Sequence, residues 1–200
     1  MMAKIVLSIG WAVLLGVLAQ HAARRRGLDL HAAPAYWAAT GTIAALAAAT
    51  SCVTPTTDAA LVVLAVAAVV DAQSGFIFDP LVAAGLTGVL VVAELEGTGA
   101  SSLMGGAIAG GAVYLIWAIT LGRGIGLGDV KLAAVVGAAF GPIGGISAIG
   151  LSFIVGAAIA IGQIIAGKTR FGSSIRFGPY LLAGSVCLLA YHRLSDGVIR

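Results

Sequence analysis

The chain has 200 residues, of which 60% are hydrophobic and 10% charged, and its formal net charge is +3. So little charge cannot cover a water-soluble domain of this length, and a mean hydropathy of +1.08 indicates a polytopic membrane protein folded as one domain. The small positive excess singles out no acidic partner and gives no sign of nucleic-acid binding.

A membrane span needs about 20 apolar residues, fewer where a helix is short or sheltered. Eight stretches qualify: 4–22, 34–53, 57–72, 77–95, 101–121, 129–141, 143–166 and 178–195. The first has a basic start and an apolar core. Its length, and Arg24-Arg25-Arg26 directly after it, favour an uncleaved first helix over a signal peptide. The third ends at Asp71. The fourth opens with Asp79-Pro80, where Asp79 reads as a cap and Pro80 takes the first helical position. The short sixth stretch begins at Asp129 and is parted from the seventh only by a tight turn over residues 141–145. The last follows Phe177-Gly178-Pro179. Many of the 29 glycines fall in patterns such as Gly106-x-x-x-Gly110 and Gly137-x-x-x-Gly141, which let membrane helices approach closely. The expected fold is all-α: a polytopic helical bundle of about eight transmembrane helices, forming one membrane-embedded domain over residues 1–200.

Charge sorts by loop. Arg24 to Arg26 follow the first stretch, Asp71 and Asp79 flank the next loop but one, and Arg123, Asp129 and Lys131 lie around the loop after the fifth. Lys168, Arg170 and Arg176 follow the seventh, while the intervening loops hold no Lys or Arg. Basic residues in alternate loops are the positive-inside pattern. The expected location is a bacterial cytoplasmic (inner) membrane, crossed several times. Both chain ends are then extracytoplasmic, and Asp71 and Asp129 share the cytoplasmic boundary.

An ionisable residue at membrane depth is a functional candidate by default. Two carboxyl groups within hydrogen-bond reach can hydrolyse a peptide: one takes a proton from water and the other, protonated, polarises the scissile carbonyl. Like charges this close share a proton and titrate as a unit. No metal or cofactor is needed. Asp129 stands in Gly126-Leu127-Gly128-Asp129-Val130-Lys131-Leu132, whose glycines leave the backbone bare. Its alternative role is a helix cap. Asp71, at a helix C-terminus, opposes the helix dipole, which makes a purely structural role less attractive. Asp79 reads as structural and is the rival for the second carboxylate. Lys131 is expected to point away from Asp129, either towards lipid headgroups or to tune the local field. Glu94 and Glu96 read as solvated, and Cys52 and Cys187 as separate buried thiols without zinc-ligand spacing.

These segments resemble the type IV prepilin peptidases, the bacterial GxGD membrane aspartyl proteases. Gly126 through Leu132 is similar to that family's second catalytic motif. Asp71 through Asp79 resembles the first, and Phe177 through Gly184 resembles its closing Phe-Gly-Pro segment. The likeness spans about residues 57–190. It implies Asp71 and Asp129 as the catalytic pair, with Gly126, Gly128 and Lys131 in the active-site loop and Asp79, Phe177, Gly178 and Pro179 in support. The implied substrate is a pilin or pseudopilin precursor, cut on the cytoplasmic side between a short basic leader and its hydrophobic helix, with membrane lipid around both. Two departures stand out. Only about residues 24–33 occupy the place of a cytoplasmic domain that often carries paired CxxC motifs, which implies peptidase activity without N-methylation. Phe78 stands where the family usually has Pro.

Two other classes compete. Paired intramembrane carboxylates also serve small ion- or proton-coupled transporters, which hold them near the midplane, often between related halves. An inactive family member could act as an assembly scaffold; the presence of both aspartates argues against that, and Phe78 argues weakly for it. A presenilin-type protease shares Gly-x-Gly-Asp, but the Phe-Gly-Pro segment favours the prepilin branch.

Overall fold

A computed structural model describes residues 2–28, 54–168 and 176–198. Within them lie six helices and no strand: α1 (Met2–Arg25), α2 (Pro55–Ser74), α3 (Asp79–Leu95), α4 (Gly99–Ile119), α5 (Leu127–Ile165) and α6 (Gly178–Val198). The stretch 34–53, Arg170 and Cys52 lie outside the described residues. By length and composition α2, α4 and α5 could each cross a membrane.

The central element is α2, which packs against α1, α3, α5 and α6. Nearly every residue from Ala60 to Val70 is buried. A helix apolar on all sides is stable only when surrounded, and small β-branched and alanine side chains let its neighbours come close. Its first turn is capped twice. Thr54 Oγ1 accepts the Thr57 N–H at 3.3 Å, and Glu96 Oε2 accepts the Thr56 N–H at 3.1 Å. Glu96, expected in solvent, therefore caps α2. The last turn stops at Gly75, whose left-handed φ of 68° turns the chain while its N–H reaches the Asp71 carbonyl at 2.8 Å.

Inside α5, Gly141 has φ 70° and ψ −176°, and Pro142 has no N–H to continue the ladder. A Cβ on Gly145 would stand 2.6 Å from the Gly137 Cα. Eight residues along a straight helix would separate these positions by about 12 Å. The chain therefore doubles back at Gly141 into two arms, 127–140 and 142–165, which is the tight turn expected there. Among the described residues, six helices with one of them doubled account for all the expected stretches except 34–53.

Small residues set the helix spacing. A methyl on Gly137 would fall on the Gly105 carbonyl and within 2.5 Å of the Ala109 Cβ, so α4 lies backbone to backbone on α5. Gly106 and Gly110 face Ala134 in the same seam. Outward-facing Leu103, Met104, Leu115, Ile154 and Ile161 are all more than half exposed, an apolar surface suited to lipid. Cys187 is also exposed, against the expectation of a buried thiol.

Candidate active site

One end of the bundle gathers the C-terminus of α2 and the N-termini of α3, α5 and α6. Asp71 sits in the last turn of α2 and is buried. Its Oδ2 accepts the backbone N–H of Gly178, the first residue of α6, at 3.1 Å. A Cβ at position 178 would stand 3.0 Å from that oxygen and 3.2 Å from the Asp71 Cβ, so a glycine fits here. Phe177 caps α6 with its carbonyl, and its ring lies 4.8 Å from that of Phe153. Pro179 occupies the first turn, where no N–H is required.

Asp129 is the third residue of α5 and is also buried. It is not the cap. The cap position belongs to Gly126, and Asp129 Oδ2 reaches back to accept the Gly126 N–H at 3.1 Å, the acidic half of a capping box. Each aspartate thus has one oxygen held by a backbone N–H at a helix N-terminus. Among the described residues, the Oδ1 atoms of both have no protein partner.

Both carboxylates line one cavity of about 600 Å³, walled by residues 75–77, the loop 122–128, Arg176 and Phe177. They are close enough for the charge of Asp71 to act on Asp129. Arg176 donates to the Ala72 carbonyl at the end of α2, and its charge acts on Asp71. Arg123 lines the same space. The two motif glycines differ in purpose. A Cβ on Gly128 would stand 2.8 Å from the Ile77 Cβ, so its bareness lets the Asp71 loop close on α5. Gly126 has room for a Cβ, with its nearest neighbour at 3.5 Å. Such a cavity offers two carboxyl oxygens and space for water.

The type IV leader peptidase family model matches residues 59–161. The chain belongs to this family. It is 36% identical over 132 residues to the prepilin leader peptidase/N-methyltransferase of Burkholderia pseudomallei strain 1026b, and equally to that of strain K96243. Each match covers 61% of this chain and 41% of the relative, so the chain spans about two fifths of the length of these curated relatives. No solved structure matches.

Of the residues singled out in the sequence, Asp71, Gly126, Gly128, Asp129 and Phe177 line the cavity, Gly178 bonds Asp71, and Asp79 and Lys131 differ from expectation. Asp79 is the first residue of α3 rather than its cap, which is Phe78. Lys131 does not turn away to lipid: its Nζ lies 2.5 Å from Asp79 Oδ1. Arg176, Ile77 and Arg26 were not picked out. Arg176 adjoins the Phe-Gly-Pro segment, and that adjacency was the available signal. The guanidinium of Arg26 lies 5.8 Å from the centre of the Phe78 ring, a contact across 52 residues that no local pattern announces.

Proposed function

We propose that this chain is an intramembrane aspartyl endopeptidase that removes the short basic leader of prepilin-like or pseudopilin precursors. The observation that carries the reading is the pair Asp71 and Asp129 in one cavity, each with one oxygen tethered and the other open. One carboxylate takes a proton from water, which attacks the scissile carbonyl. The other carboxyl donates its proton to the carbonyl oxygen, and collapse of the tetrahedral intermediate passes a proton to the leaving amine. The two titrate as a pair, so neither is assigned a fixed role.

The proposed setting is a multi-pass bundle of about eight spans in a bacterial inner membrane, with the dyad at the cytoplasmic boundary. Arg26, Arg123, Lys131 and Arg176 all lie at the same end as the dyad, which supports that orientation. The short connection over residues 24–33 supports cleavage without methylation of the new N-terminus.

The test is co-expression with a tagged pilin precursor, followed by intact mass of the product beside the Asp71→Asn and Asp129→Asn variants. The expected product is cut just before its hydrophobic helix and carries no added methyl group, and neither variant yields it. Cleavage that survives either substitution would overturn the dyad. No cleavage of several precursors by inserted, folded protein would overturn the peptidase assignment.

A further inference from the structure

Peptide hydrolysis by two carboxyl groups depends on their separation, and the tethers of this pair do not set it. Asp71 is fixed to α6 through Gly178, and Asp129 is fixed to the start of its own helix through Gly126. Neither bond runs from one aspartate's segment to the other's. Among the described residues, the one hydrogen-bonded ion pair between residues 71–80 and 126–131 is that of Asp79 and Lys131 at 2.5 Å. It adds to the packing of α2 and α3 on α5, where Ile77 lies against Gly128. Lys131 follows Asp129 by two residues in the same helical turn, and Asp79 opens the helix that leaves the Asp71 loop.

We infer that the Asp79–Lys131 ion pair is a positioning clamp that fixes the distance between Asp71 and Asp129. The inference rests on the dyad reading above. Exposed ion pairs contribute little to stability, and both members here are well exposed, so the clamp acts on geometry more than on folding. Geometry is where a small shift is costly, because misplacing reacting groups by about 1 Å can cost on the order of a hundredfold in rate. Arg123 and Arg176 wall the cavity and Arg26 lies over Phe78 nearby, but all three are cations and cannot replace Asp79 as the partner of Lys131.

The test is a double-mutant cycle in membranes, with leader removal followed as initial rates against precursor concentration. Asp79→Asn and Lys131→Met are each expected to lower kcat about tenfold with KM little changed. The combined variant should be no worse than either alone, because both remove one interaction. Asp79→Glu and Lys131→Arg keep the pair and should retain most of the rate. The pH–rate profile supplies a readout that lost stability would not move. Two carboxyls that drift apart interact less, so their apparent pKa values converge and the bell narrows from both sides. Wild-type kcat and an unchanged bell in both single variants would overturn the clamp. So would losses that multiply in the double variant, a loss confined to KM, or conservative variants as impaired as the neutral ones. Asp71→Asn is measured alongside: if it stays active the dyad has failed, whereas an inactive Asp71→Asn with fully active Asp79→Asn and Lys131→Met means only the clamp has failed.

Discussion

Gly178→Ala isolates the tether on Asp71. Gly178 is not among the glycines with positive φ, so the backbone accepts alanine without strain. The new methyl is the whole perturbation. It would stand 3.0 Å from Asp71 Oδ2, 3.2 Å from its Cβ and 3.4 Å from its Cγ. The Cβ is rooted on α2 and cannot swing away, so the carboxylate must retreat by a few tenths of an ångström, roughly the deficit from ordinary van der Waals contact. That takes the 3.1 Å hydrogen bond towards the limit of a useful one. A hydrogen bond to a charged group contributes about 1.5–3 kcal/mol, and about 1.4 kcal/mol in a barrier is tenfold in rate, so kcat should fall about 10- to 100-fold. The tight contact and the weakened bond outweigh alanine's better helix propensity, so the melting temperature should fall by a few degrees while the protein stays folded. Initial rates of leader removal by intact mass, paired with thermal unfolding of the same preparation, read both effects. A rate within about twofold of wild type would refute the role given to the Gly178 N–H, since the predicted loss is tenfold or more.

Other substitutions separate the dyad from its scaffold. Asp71→Asn and Asp129→Asn should each lower leader removal by about a thousandfold or more while leaving the protein inserted, and Asp79→Asn should be far milder in the same assay. Gly137→Leu should sharply reduce folded yield and melting temperature, because even its Cβ falls on the Gly105 carbonyl, which cannot move aside. Glu96→Gln weakens the cap on α2 and should cost about 1 kcal/mol, lowering the melting temperature by a few degrees. It should leave kcat unchanged, because the Thr56 end of α2 lies about 22 Å along the helix from Asp71.

Much of this was legible in the chain. Hydropathy located the described helices, and the Gly141-Pro142 turn was readable because a left-handed glycine and a residue without an N–H both interrupt a helix. Alternating charge put Asp71 and Asp129 on one side, and the structure has them in one cavity. What stayed hidden was tertiary. The glycine of Phe177-Gly178-Pro179 is required by Asp71, which lies 107 residues earlier and belongs to another helix. Lys131 follows Asp129 by two residues, a spacing that correctly separates them on a helix face, but spacing cannot supply the position of Asp79. Glu96 looked solvated because its partner, Thr56, is brought to it only by the packing of α3 on α2.

Two features that looked unfavourable in the sequence are resolved by that packing. Asp71 closes a helix, where the dipole of α2 opposes a carboxylate. The N-terminus of α6 meets it with a backbone N–H, and Arg176 binds the α2 carbonyl at Ala72, so the unfavourable end is offset by another helix and a cation. Phe78 stands where the family resemblance implies a proline. Its φ is −80°, inside the range a proline ring would impose. Its N–H makes no hydrogen bond to other described residues, so the usual benefit of proline, a fixed φ without a needed donor, is met by other means. The means are burial, with the ring only 1% exposed, and the Arg26 guanidinium over its face. A loop held by a buried aromatic keeps Ile77 against Gly128 as a proline-stiffened loop would, so the substitution gives no physical reason to expect an inactive enzyme.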